Sequence, residues 1–169
     1  MRSYVQSQFG GASWTKVLEG MRSDDASVLR GLIPIGWYAL ELQYRLVRAI
    51  DDTLGRGDGA LISDIGRYEA QQDLTVVHRL FLRMANPGFV LEQSGRYWSR
   101  FYKSGRWEVE RHSSTSASAR LLELRPFDGL MADYLGSYIR EMWTLMKAEV
   151  LSMETTAVGD VIELEGNWR

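Results

Sequence analysis

Apolar positions in the first hundred residues recur every three to four places. Across residues 37–54, Leu42, Leu46, Ile50 and Leu54 fall four apart, with Tyr38, Ala39, Val47 and Ala49 beside them. That stripe is wide enough to face a core from a helix. Gly55-Arg56-Gly57 supplies the stop, with a glycine expected in the left-handed conformation beyond the last turn. Asp58 can cap a following helix over 60–74, with Leu61, Ile62, Ile65 and Tyr68 inward. Segments 74–84 and 89–102 read the same way and are separated by the breaker Asn86-Pro87-Gly88. Upstream, Ser13 can cap a short helix over 14–21, and Asp24-Asp25 introduce a second short helical turn or loop. Residues 1–11 are polar and end in Phe9-Gly10-Gly11. They read as a flexible N-terminal arm or a short leading strand, leaving 12–169 as a single domain.

After Ser104-Gly105 the period drops from helical to alternating. Trp107 and Val109 alternate with Arg106, Glu108 and Glu110, and Ala117, Ala119 and Leu121 alternate with Ser116, Ser118 and Arg120. Two such runs joined by a short polar link predict an antiparallel hairpin. Pro126 closes it, and a long apolar-striped helix is predicted over 127–146, either covering the sheet or presenting a partner surface. Two more strands, 150–155 and 161–168, flank a turn at Gly159-Asp160. The fold class is therefore α+β: a helical N-terminal half, then a β-β-α-β-β antiparallel sheet unit.

Composition narrows the function. The chain has 169 residues, 45% of them hydrophobic, and a net charge of −2 with interspersed signs. A clustered basic face for nucleic acid is missing. Cysteine is absent, so disulfides and thiolate metal sites are excluded. No apolar run reaches the length of a membrane span or a signal peptide, and the expected location is cytoplasmic.

Catalytic chemistry finds little footing. His78 and His112 are the two histidines, and neither has a second histidine at metal spacing. His78 reads as a half-buried helix residue and His112 as a solvated strand end. No Gly-x-Ser-x-Gly elbow occurs, and Gly55-Arg56-Gly57-Asp58-Gly59 lacks the P-loop pattern. Asp51 and Asp52 diverge by about 100° on a helix, a poor acid–base pair, and are expected in solvent or paired with Arg48 or Arg56. Aromatics are more suggestive. Trp37, Tyr38, Tyr97, Trp98, Phe101, Tyr102 and Trp107 fall in two tight groups. They are either core and sheet-packing residues or the wall of an apolar ligand pocket.

The stretch Ile35-Gly36-Trp37-Tyr38-Ala39-Leu40-Glu41, continuing through Leu46, Ala49, Ile50, Asp51, Leu54, Gly55, Gly57 and Asp58, resembles bacterial sensor domains of the 4-vinyl reductase group. That group sits with the heme-NO-binding-like and TRAPP trafficking-subunit folds. Gly159-Asp160 with Ile162, Leu164 and Trp168 is similar to its closing hairpin, and the stretch from Asn86-Pro87 to Trp107-Glu108-Val109 is similar to uncharacterised bacterial relatives. The resemblance implies a dimerising regulatory domain that binds a small hydrophobic molecule or a protein partner. It also implies a cysteine metal site near the closing hairpin, but positions 155 and 163 are Thr and Glu here. The expectation is a non-enzymatic sensory module without metal or cofactor, with a ligand pocket at Trp37, Tyr38, Trp98, Phe101 and Trp107. The alternative is a scaffold or adaptor domain that has lost ligand and metal binding.

Overall fold

The computed structural model describes residues 1–33, 36–73, 86–123 and 128–169; the side chains of Tyr97, Arg100 and Phe101 lie outside that description. Among the described residues seven helices and four strands follow one another. They are α1 (Arg2–Phe9), α2 (Gly11–Glu19), α3 (Ser23–Arg30), α4 (Leu40–Leu54), α5 (Ala60–Asp73), α6 (Pro87–Phe101), β1 (Arg106–Arg111), β2 (Ser116–Leu122), α7 (Gly129–Leu145), β3 (Val150–Val158) and β4 (Val161–Trp168). The helix expected over 74–84 lies outside the described residues, and so does His78.

The strands form one antiparallel sheet in the order β1-β2-β4-β3. Alternation along β2 and β4 turns Ala117, Ala119, Leu121, Ile162, Leu164 and Trp168 inward and leaves Arg120, Glu163 and Glu165 exposed. This is the half-solvated pattern of antiparallel sheets. Helix α7 lies across the inner face so closely that a Cβ on Gly136 would sit 2.3 Å from Thr155 Oγ1. On its other side a Cβ on Gly66 of α5 would come 2.2 Å from Ser137 Oγ. Helix α7 therefore lies on the sheet with α5 packed against its other side.

Two apolar clusters result. One joins helices α1 to α5 with Leu121, Ile162 and Met131. The other joins Leu91 of α6 and Ile139, Met142 and Trp143 of α7 to the sheet at Leu164 and Trp168. No helix among the described residues is long and apolar enough to cross a membrane.

The N-terminal expectation is corrected. Residues 2–9 are neither an arm nor a strand but a helix whose Val5 is fully buried. Gly10, at φ +86°, turns the chain into α2. At the end of α4, Gly55 is extended (φ −83°), and the left-handed positions fall later, at Gly57 and Gly59. Asp58 does cap, accepting the Ala60 amide at 3.1 Å.

Asn86-Pro87-Gly88 opens α6. Asn86 accepts the Gly88 amide at 2.9 Å, and Pro87 occupies the first turn, where its missing N–H costs nothing. Asn86→Ala should lose about 1 kcal/mol, a fall of about 2–4 °C in melting temperature, and Asn86→Asp should recover most of it in a thermal melt.

Candidate functional site

Trp37 and Tyr38 stand at the rim of a cleft, held in place by Ile33 and Gly36. The Ile33 amide donates to the Tyr38 phenol oxygen at 2.9 Å, and the Gly36 amide donates to the Ile33 carbonyl at 3.0 Å. Glycine is needed at 36 because a Cβ would lie 2.4 Å from that phenol oxygen. Pinned this way, the segment displays Ile33 and Trp37 outward, 57% and 63% exposed.

Trp37, Tyr38, Leu40 and Glu41 face Tyr102, Lys103 and Ser104 across a space of about 340 Å³. Lys103 Nζ stands 5.7 Å from the centre of the Trp37 ring, in cation–π range. A second groove, about 560 Å³, shares Glu41 and Ser104 with the first and continues past Leu122, Glu123, Asp160 and Val161. Both are open to solvent.

Behind the cleft the aromatics stack. Trp98 lies on Tyr102 with centroids 4.1 Å apart, and Trp107 lies nearly parallel to Trp98 at 6.3 Å. Each indole N–H is used: Trp98 donates to the Ser104 carbonyl at 2.9 Å and Trp107 to the Leu91 carbonyl at 3.2 Å. Both also pack against the helical core. Of the five residues expected in a pocket, Trp37 and Tyr38 line the cleft, while Trp98 and Trp107 form its backing. Phe101 ends α6, and its side chain lies outside the described residues. Glu41, Tyr102 and Lys103 also line the cleft although none of them was among the five; Tyr102 belongs to the same aromatic group as Trp98, and Lys103, one of three lysines, follows it directly.

A half-buried polar layer lies between α5 and α7, with Asp73 at its exposed end. Tyr134 donates to Glu69 Oε2 at 2.6 Å, and Tyr138 donates to Asp73 Oδ2 at 3.4 Å. Burial first, and these carboxylates second, push both phenols up from their ordinary values. The Tyr102 phenol is raised for the same reasons, burial ahead of Glu69 and Asp73. Tyr134 and Tyr138 are neutral donors to carboxylates, an arrangement that supplies hydrogen bonds and no nucleophile.

Metal chemistry is not assembled either. Among the described residues no three His, Asp or Glu side chains stand close enough to hold an ion. Thr155 and Glu163, at the positions where the resemblance implies thiolates, sit on opposite faces of the sheet. Thr155 points at Gly136 of α7, while Glu163 pairs with Arg120 at 3.3 Å on the exposed face. Asp51 also departs from expectation: it is 5% exposed, and its Oδ1 has no partner among the described residues. Arg48 turns instead to Asp128, the cap of α7.

Neither a family model nor a curated protein matches the chain. Solved structures do. An Fe(II) unliganded H-NOX protein from K. algicida superposes with a TM-score of 0.75 at 11% identity, covering 99% of this chain and 91% of that one. A structure from a study of heme distortion in the H-NOX family gives 0.72 at 13%, covering 99% and 90%. An oxygen-binding H-NOX domain related to soluble guanylate cyclases gives 0.62 at 13%, covering 100% and 95%. The chain thus has the H-NOX fold. The likeness supports the heme-NO-binding-like part of the resemblance and carries nothing about its 4-vinyl reductase or trafficking-subunit parts.

Heme needs an axial ligand from His, Cys, Met or Tyr in an enclosed slot. Here Cys is absent, and His112 is exposed with its ring bonded to Ser118 Oγ at 2.9 Å. Both clefts are open grooves, and Trp98, Trp107 and Trp143 fill the space between helices and sheet. The other histidine, His78, lies outside the described residues, which themselves hold no histidine or cysteine in an enclosed slot that could ligate a heme.

Proposed function

We propose that this chain is a non-enzymatic sensory module on the H-NOX fold that reads a small molecule in the Trp37 cleft without heme. The cleft carries the reading. Its volume falls in the range of about 300–1,000 Å³ typical of small-molecule sites, its walls are aromatic, and a few polar groups converge on it. Support also comes from what surrounds it. The phenols of Tyr134 and Tyr138 are engaged with carboxylates, and α7 packs on the sheet on one side and on α5 on the other. A scaffold role would need a contiguous exposed apolar face on α7 or a sheet edge; α7 packs on both sides, and on the edge strand β3 the exposed Leu151 and Val158 stand at opposite ends.

The neutral probe 2-naphthalenemethanol tests this reading. It should raise the melting temperature of the intact chain and give a saturable isotherm in calorimetry. Trp37→Ala should weaken binding at least tenfold. Because Trp37 is mostly exposed, the same change should move stability by less than about 0.5 kcal/mol. Added hemin should produce no stoichiometric ligated Soret band. A probe that does not bind, or a hemin complex formed one to one, would overturn the reading.

A further inference from the structure

We infer that the apolar turn within residues 31–40 is a peripheral anchor that seats the domain on an anionic lipid surface. The inference stands apart from the cleft reading, although Trp37 serves in both.

The ten residues 31–40 carry no charged side chain. Such a run would ordinarily be spent on a core, yet Leu32, Ile33, Trp37 and Tyr38 are all exposed. Their exposure is built in. The Ile33 amide donates to the Tyr38 phenol oxygen and the Gly36 amide donates to the Ile33 carbonyl, so the turn satisfies its own backbone groups while its side chains face water. These side chains have the chemistry of a membrane interface. Leucine and isoleucine enter the acyl boundary, and the amphipathic rings of Trp and Tyr settle at headgroup depth. Trp37 is the one tryptophan of six that is mostly exposed; the other five are buried or half-buried.

Charge says which surface the turn fits. Arg30 ends α3 just before the turn, and Lys103 stands over the Trp37 ring; both are exposed. Every Asp and Glu of the chain lies among the described residues, and none of them forms an ion pair with either cation. The nearest carboxylate in sequence, Glu41, is half-buried at the cleft. Two cations beside an apolar turn complement the negative potential of acidic headgroups, an attraction that acts within a Debye length. A protein partner fits less well. A stable interface takes about 20–30 shape-matched residues a side, and this turn offers four, whereas a bilayer demands no matching shape.

Flotation of the intact chain with phosphatidylcholine vesicles containing phosphatidylserine should carry it into the lipid fraction, and less so with phosphatidylcholine alone or in high salt. Leu32→Ser combined with Ile33→Ser should lower the partition coefficient about tenfold. Arg30→Gln should lower it severalfold on the anionic vesicles. Phosphatidylcholine brominated in its acyl chains should quench the fluorescence of the bound chain, and Trp37→Phe should abolish that quenching. Leu32 and Arg30 do not line the cleft, so Leu32→Ser and Arg30→Gln should bind 2-naphthalenemethanol as the unaltered chain does. Flotation that persists while the alcohol fails to bind upholds the anchor and removes only the cleft reading. No flotation with anionic vesicles, or flotation indifferent to the serine pair, overturns the anchor and leaves the cleft reading in place. A dimer that needs Ile33, found by sedimentation without any vesicle binding, would assign the turn to a second copy of the chain and overturn the anchor equally.

Discussion

Trp143→Ala is expected to cost about 3–5 kcal/mol, the range for truncating a large buried aromatic. Against the usual domain stability of about 5–15 kcal/mol, that leaves the fold marginal. Trp143 is fully buried and meets Trp168 edge-on at 4.9 Å. Its six-membered ring fills the space over Gly166, where a Cβ would lie 2.6 Å away, so no neighbour can swing in to close the gap. Helix α7 would lose its hold on β4, and with it the second apolar cluster. Trp143→Phe separates volume from polarity. The indole Nε1 has no partner, so removing it forfeits no hydrogen bond and relieves a buried orphan donor. Phenylalanine should therefore recover more than half of the alanine loss. Urea unfolding followed by far-ultraviolet circular dichroism gives both numbers. A phenylalanine variant as unstable as the alanine one would mean that the N–H is engaged.

Where periodicity was strong, the elements were legible. The Leu42-Leu46-Ile50-Leu54 stripe became α4, the two alternating runs became β1 and β2, and Gly159 sits at the β3–β4 turn with φ +59°. What failed has physical causes. Helix α1 is short and polar, and its one fully buried side chain, Val5, cannot register as a period; tertiary packing, more than propensity, holds a helix of eight residues. Helix α4 starts at Leu40 rather than at 37 because Trp37 and Tyr38 are spent on the cleft rim. The cleft itself joins Trp37 to Lys103, far apart in sequence, so local pattern could mark its aromatic groups without revealing which faced each other. Trp98 and Trp107 read more as core than as pocket residues, and in the fold they pack against the core and stack behind the cleft. The sheet parity that separates Thr155 from Glu163 appears only when the β3–β4 register is known.

Asp51 carries the other large expectation, because its burial is what a pair of adjacent aspartates hides best. Asp51→Asn should stabilise the chain by about 1–2 kcal/mol at neutral pH, on the scale of an unsatisfied buried polar group. Burial chiefly, then Asp52 and Asp58, push the Asp51 carboxyl up, and Arg48 offsets them in part. An acid raised in the folded state binds its proton more tightly there than in the unfolded chain. Its contribution to stability is therefore greatest below the unfolded value near about 3.9, declines as pH rises through the window up to the folded value, and is lowest above it. Asparagine has no such window, so the gain should vanish as pH falls toward about 3. Asp133 is linked to the same change. It too is pushed up, by burial first and then by Asp51 and Asp128, and it lies against the loop at Gly59, where a Cβ would be 2.1 Å from its Oδ2. Removing the charge at 51 should lower the Asp133 value, visible in carboxyl-carbon NMR titration. Denaturant melts of the wild-type chain and Asp51→Asn at acid and neutral pH decide the matter. A gain that persists in acid, or a loss at neutral pH, would show that the free oxygen of Asp51 has a partner in solution and that its charge supports the fold.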